Sequence, residues 1–327
     1  MQRRQFIASG VGMGAALAIP QATWAQDAWP SRPVKLIIPF PPGGPTDVMG
    51  RTAAKVMADQ LGQPFVVENK AGAGGNLGTE AMAKAVGDGY TIGLSAISSL
   101  AISPHLQAKV PFSVEKDFSM ISLVGTSPCA IVIHPSAPFS DLKGLIAYAK
   151  ANPGKLNYAT SGIGTSNHLA AELLQSTAGI ELTSVPYKGS SQIVPDLLSG
   201  VVLMSMESSL ATTLQHIRAG KLKALAVTSP QRVKALPDVP TVAESGYPGF
   251  AVETWFGLVG PASLPRPIVD KLQAAWRDGS TKPEAHAAFD AISADIRVMT
   301  PAQFADFVKA ENTRWGVLIK KLGIKID

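Results

Sequence analysis

The sequence predicts an α/β protein of two lobes, each a mainly parallel sheet flanked by helices. Three observations carry that expectation. Short, branched apolar runs alternate with segments of helix length along most of the chain. The 327 residues exceed what one compact core normally holds. Two turn-rich interruptions, at Gly125-Thr126-Ser127-Pro128 and Ser229-Pro230-Gln231, read as places where the chain leaves one lobe and later returns. They assign residues 26–127 and 229–327 to lobe 1 and residues 128–228 to lobe 2.

The first segment stands outside that fold. Met1-Gln2-Arg3-Arg4-Gln5-Phe6-Ile7 precedes an apolar stretch over 8–19 and small residues around Thr23-Trp24-Ala25, the layout of a signal peptide covering 1–25. The apolar stretch is too short to span a bilayer, and Arg3-Arg4 before Phe6 resembles a twin-arginine export signal. The one cysteine, Cys129, has no internal disulfide partner and sits in an apolar run, as expected of a small buried hydrophobe. The formal charge is +5, of which Arg3 and Arg4 supply two, leaving +3 after cleavage. So mild an excess, with no Lys/Arg stripe interleaved with aromatics, argues against nucleic acid as a partner.

Strands are expected over 34–38, 65–68, 91–95, 156–160, 182–186, 201–206 and 224–228. Helices are expected over 47–61, 77–86, 141–151, 166–179, 191–198, 210–219, 267–280 and 301–323. In the last, Phe304, Phe307, Val308 and Trp315 recur at helical spacing and mark a packing face.

The first strand runs into Pro39-Phe40-Pro41-Pro42-Gly43-Gly44-Pro45-Thr46-Asp47, and Pro41-Pro42 stop it. Gly43 and Gly44 let a ligand approach the main chain, while Thr46 or Asp47 caps the helix that follows. Free amides and the helix dipole favour a carboxylate or phosphate there. The Lys-Ser/Thr ending of a nucleotide loop is missing. A second loop of the same kind, Thr160-Ser161-Gly162-Ile163-Gly164-Thr165-Ser166-Asn167-His168, opens a helix in the other lobe; one of its hydroxyls serves as the cap.

Gly72-Ala73-Gly74-Gly75-Asn76-Leu77-Gly78 imitates a dinucleotide fingerprint, but the next strand ends in Ser95-Ala96-Ile97-Ser98-Ser99 where a ribose-binding acid belongs. Ser95 and Ser98 can instead donate to a carboxylate. Tyr187 and Lys188 follow a strand at the cleft edge, Glu207 is placed to cap the helix after Ser208 rather than act as an acid, and Trp255 offers an aromatic surface. The sequence contains no Gly-x-Ser-x-Gly elbow, His-Glu-x-x-His pair or Cys-His metal spacing, so no enzyme, cofactor or metal is expected.

With these residues laid out, the chain resembles the Bug receptors, the extracytoplasmic solute-binding proteins of tripartite tricarboxylate transporters. The resemblance rests on Trp29-Pro30-Ser31-Arg32-Pro33-Val34 leading to the first loop, and on Val67-Glu68-Asn69-Lys70 with the glycine run after it. Asp88-Gly89-Tyr90-Thr91, Asn152-Pro153-Gly154-Lys155, Val185-Pro186-Tyr187-Lys188-Gly189 and Leu236-Pro237-Asp238-Val239-Pro240-Thr241 extend it over essentially the whole exported chain.

It implies a periplasmic binding protein of the second topological type, a Venus flytrap. Such a protein, a monomer, closes on a small organic carboxylate, aromatic or aliphatic, and delivers it to membrane permease subunits. A ligand-sensing receptor docked to a membrane signalling partner is the alternative, and a secreted hydrolase a weaker one. Carried over by position, the anchors are Pro42, Gly43, Gly44, Thr46 and Asp47 in one lobe, with Asp47 organising its loop rather than meeting the anion. In the other lobe they are Ser161, Gly162, Gly164, Thr165 and His168. The chain departs from the pattern at Pro45, where the family often has a third glycine, and over Met204-Ser205-Met206-Glu207-Ser208, which lacks a frequent Phe-Asp-Asn. Both departures leave the identity of the carboxylate open.

Overall fold

A computed structural model describes residues 29–323; the expected signal peptide lies outside the described residues. The elements run β1 (Val34–Ile38), α1 (Pro45–Leu61), β2 (Phe65–Asn69), α2 (Asn76–Ala83), β3 (Thr91–Ala96), α3 (Ser103–Leu106), β4 (Phe118–Pro128), β5 (Ala130–Ile133), α4 (Leu142–Ala151), β6 (Asn157–Thr160) and α5 (Ser166–Ala178). They continue with β7 (Thr183–Pro186), α6 (Ser190–Ser199), β8 (Met204–Glu207), α7 (Leu214–Arg218), β9 (Lys223–Val227), β10 (Glu253–Pro261), α8 (Arg266–Gly279), α9 (Pro283–Asp290), β11 (Asp295–Ile296) and α10 (Pro301–Leu322).

Two sheets result, ordered β11-β4-β10-β3-β1-β2 and β7-β6-β8-β5-β9. β1 shows why its apolar run is a strand: Val34, Leu36 and Ile38 pack with Met49, Ala53 and Met57 of α1, while Ile37 points to the opposite face toward Met82 of α2. Four helices end on a glycine in the left-handed conformation: Gly62 after α1, Gly179 after α5, Gly200 after α6 and Gly323 after α10.

The sheets are mixed, where mainly parallel ones were expected. β1 pairs parallel with β2 and β3, and β6 with β7 and β8, but β10 runs antiparallel to β3 and β4, and β5 to β8 and β9. The traffic between lobes is the cause. β4 continues through Cys129 directly into β5, so the outgoing chain is nearly one strand, and the returning chain lies beside it in the opposite sense. Gly125-Thr126-Ser127-Pro128, read as a break, is inside β4, because pairing of Ser127 with Thr254 and Pro128 with Glu253 satisfies its backbone.

The return also falls later than residue 229. After β9 the chain folds back on its own lobe, with Val227 N donating to Pro240 O at 3.0 Å and Val242 N to Val227 O at 2.9 Å, and rejoins the larger sheet at Glu253. Thr228 joins the two crossings: its N–H donates to Cys129 O and its carbonyl accepts from Val252 N, each at 2.9 Å.

Side-chain alternation along β10 sends Thr254 and Phe256 toward the cleft and Trp255 to the opposite face. Trp255 therefore belongs to the core and not to the ligand site. Its ring stands edge-on to Phe304 and Phe307 of α10, with centroids 6.1 and 5.3 Å away, and its Nε1 donates to Glu311 Oε2 at 3.0 Å. α10 starts at a capping box between Thr300 and Gln303 and lays Phe304 flush on Gly257. A Cβ at Gly257 would come 2.0 Å from Phe304 Cζ. Gly257→Ala should therefore lower stability by about 1–3 kcal/mol through overpacking; an unchanged urea midpoint would show that α10 does not depend on this contact.

Candidate functional site

Three loops leave the carboxyl ends of β1, β6 and β7 and open α1, α5 and α6. Their first turns line one small cavity between the lobes: Gly44, Pro45 and Thr46 from α1, Thr165 and Ser166 from α5, and Gly189, Ser190 and Ser191 from α6. None of the three N-cap residues, Gly44, Thr165 and Gly189, bonds its first turn through a side chain. The same holds for α2, α3, α7, α8 and α9, and among the described helices Asp141 and Thr300 alone cap theirs, α4 and α10, so what sets the three apart is their convergence on one cavity. Uncapped amides at three converging N-termini can accept an anion. Each terminus carries roughly half a positive charge.

The rest of the lining suits that chemistry. Ser98, Ser161, Ser208 and Thr254 add hydroxyls, Phe40, Pro41, Ile97 and Phe256 add apolar walls, and among the described residues no charged side chain lines the cavity. Ser98 Oγ is buried and unpartnered. The cavity holds only about 20 Å³, because the lobes touch around it. Pro41 presses on Gly189 so closely that a Cβ there would sit 2.7 Å from Pro41 Cδ, and a Cβ on Gly74 would sit 2.9 Å from Ile163 O. The hydroxyls of Ser166 and Thr254 bond across the same junction. An outer chamber of about 260 Å³, sharing Ser161 with the cavity, lies between Gly72, Ala73, Gly74 and Gln107 on one side and Gly162, Ile163, Tyr187 and Lys188 on the other. Larger grooves, about 920 and 1000 Å³, lie along α10 and beside β5 and β9, away from the helix N-termini.

Two buried polar side chains hold the loops without occupying the amides. Asp47 Oδ2 accepts from Gly43 N and Arg51 Nε, and Oδ1 accepts from Asn69 Nδ2, all at 2.9 Å; Asn69 also donates to Phe40 O. Burial pushes the Asp47 carboxyl up, but Arg51, the Gly43 amide and Asn69 together hold it below the usual range. Gly43 adopts φ +81°, which the bend into this grip requires. In the other lobe Asn167 Oδ1 accepts from Ser161 Oγ at 2.8 Å and Nδ2 donates to Met206 O at 2.6 Å. Thr165 Oγ1 lies 2.6 Å from both Gly162 O and Asn167 Oδ1, so its hydroxyl points backward and leaves the helix start open.

The expected residues divide accordingly. Gly44, Thr46, Ser98, Ser161 and Thr165 line the cavity, and Gly162, Tyr187 and Lys188 the outer chamber. Asp47 organises its loop, as expected, but the cap of α1 is Gly44 and not Thr46 or Asp47. Pro42 and Gly43 are exposed on the loop's outer side, and Gly164 is buried behind the second loop. Ser95 lies behind the cavity, its hydroxyl 3.1 Å from that of Thr79. His168 faces away from the cavity: its Nδ1 is 3.5 Å from Gly164 N and its Nε2 3.8 Å from Glu172, and burial pushes its pKa down to about 4, so the imidazole is neutral. Glu207 caps nothing, since α7 begins at Leu214; it is wholly buried at the end of β8. The α6 start was missed, although Gly189-Ser190-Ser191 follow a strand and open a helix just as the other two loops do.

Fold and cleft define the class: a two-lobed binding protein whose closed interface encloses a small cavity lined by hydroxyls and helix N-termini. The chain belongs to the tripartite tricarboxylate transporter family receptors, whose profile matches residues 49–324. It is 40% identical over 317 residues to the protein BugT of Bordetella pertussis, covering 97% of both chains. An adipate-bound structure from R. palustris superposes with a TM-score of 0.87 at 31% identity, over 91% of this chain and 99% of the other. MatC from Rhodopseudomonas palustris, solved with bound malate, gives 0.83 at 31% identity, over 89% and 99%. The fold is thus that of a two-lobe periplasmic binding protein. Among the described residues no helix is long and apolar enough to cross a membrane, and no cluster of His, Cys, Asp or Glu is arranged to hold a metal ion.

Gly189 has extended backbone angles that any residue adopts, so Gly189→Ala leaves its own lobe intact and obstructs only the seating of Pro41. With saturating carboxylate the variant should scatter X-rays as a more extended particle than the wild type, with unchanged circular dichroism; a curve that overlays the liganded wild type would show that this contact does not govern closure.

Proposed function

We propose that this protein is the extracytoplasmic receptor of a tripartite tricarboxylate transporter, capturing a small mono- or dicarboxylate in the interlobe cleft for delivery to membrane permease subunits. One carboxylate sits among the three helix N-termini and the hydroxyls around them, and the body of the acid extends toward the outer chamber. The convergence of α1, α5 and α6 on a cavity without charged side chains carries this reading. Three termini supply roughly one and a half positive charges in all, which matches one carboxylate and falls short of a trianion. The malate and adipate bound by the two relatives are acids of this kind. The protein binds without converting: the hydroxyls that line the cavity have no imidazole beside them, and the neutral His168 is turned away.

The cavity of about 20 Å³ admits no acid while the lobes touch. The ligand therefore enters an open form and favours closure by contacting both lobes at once. Thermal shift against malate, adipate, succinate, benzoate and citrate tests the proposal, since a ligand at a hundred times its Kd adds about 2.7 kcal/mol to stability. At least one mono- or dicarboxylate should raise Tm, be recovered unchanged, and bind tenfold or more tighter than citrate by calorimetry. No response to any acid would overturn the proposal, and citrate binding as tightly as the best dicarboxylate would overturn its charge argument.

A further inference from the structure

Among the described residues, Glu207 is the one acid buried against the wall of this cavity. Oε1 accepts from Ser205 Oγ, and Oε2 has no partner although the residue is wholly buried. The hydroxyls of Ser190 and Thr212 also face the carboxyl. Ser190 Oγ stands 3.1 Å from Ser208 Oγ, and both serines line the cavity. One layer of hydroxyls therefore separates Glu207 from the place where the proposed site seats a carboxylate.

Among the described residues no cation offsets the acid. β5, which pairs with β8 beside it, carries no titratable group. Tyr158 of β6 bonds Glu172 of α5, His168 of α5 faces Gly164 and Glu172, and Asp196 of α6 accepts from Tyr187. Burial pushes the Glu207 carboxyl up to about 7, opposed only by Ser205, Ser190 and Thr212.

We propose that carboxylate capture takes up one proton at Glu207. The inference rests on the binding site proposed above. Two negative charges separated by a hydroxyl layer in a water-poor interior repel strongly, whereas a protonated Glu207 does not and can donate its unpartnered oxygen's proton to Ser190 or Ser208. The proton comes from solvent while the lobes are apart. Affinity then falls as pH rises, and bound ligand holds Glu207 neutral to higher pH than the empty cleft does.

The sign for the empty protein follows the same logic. A carboxyl near 4.5 when unfolded and raised when folded contributes stability below pH 4.5, and that contribution is lost as pH rises toward 7.

Calorimetry with malate and adipate at pH 6.5 and 8.5, in two buffers of different ionisation enthalpy, tests the proposal on the wild type alone. Both probes stay ionised across that span, and Glu207→Gln controls for their residual titration. Wild type should bind about 25-fold more weakly at pH 8.5 than at pH 6.5, taking up close to one proton per ligand at pH 8.5 and about a quarter of one at pH 6.5, while Glu207→Gln should bind equally at both pH values. Without ligand, wild type should lose stability relative to Glu207→Gln between pH 4.5 and 7. Binding without proton uptake would overturn the inference and leave the receptor reading standing; binding of no acid at either pH would overturn both.

Discussion

A carboxylate that leaves water for a closed cleft must regain the hydrogen bonds it gives up, and in the proposed site they come from uncapped helix N-termini rather than from a cation. Much else in the molecule follows from that constraint. Two of the three N-caps are glycines, which have no side chain to compete for the first-turn amides, and the third, Thr165, turns its hydroxyl back to Gly162. The open amides lie at the carboxyl ends of parallel strands, where strand-to-helix turns gather. Neutral donors also leave the site without a fixed positive charge that would need screening in the empty state.

Keeping amides free inside a loop requires that something else hold the loop. Asp47 in the first turn of α1 reaches back to Gly43, and Asn167 in the first turn of α5 reaches back to Ser161 and across to Met206. Both spend their bonding capacity backward and sideways, so the ligand-facing side stays unoccupied. Asp47 tolerates its burial because Arg51 and Asn69 supply donors. The outgoing crossing at Cys129 and the returning one at Val252 are tied to each other by Thr228, away from both loops' internal bonds.

Much of this was legible in the residues. Strand-then-glycine-then-helix patterns located two of the three loops at the cavity, and apolar periodicity located β1, β2, β3 and β9, but β4 and β10 were not among the expected strands, because they run through turn-forming residues whose backbone is satisfied by their pairing with each other. What stayed hidden depends on tertiary direction. Trp255 and Thr254 differ by one residue, and only the pleat of β10 decides that the threonine meets the cleft and the tryptophan meets α10. Ser95 and Ser98 looked alike in sequence, yet one faces Thr79 behind the sheet and the other the cavity. Glu207 read as a helix cap because the segment after it is polar; burial, invisible in a single sequence, made it a group whose charge matters.

The most direct test of the central claim is to follow backbone amide resonances during titration with the tightest-binding acid of the panel. The largest changes should fall on the first turns of α1, α5 and α6, at Thr46, Asp47, Ser166, Asn167, Ser190 and Ser191, as their N–H groups acquire a carboxylate acceptor. Changes confined to Gly72–Gly74 and Tyr187–Lys188 at the outer chamber, with those three turns unmoved, would contradict it.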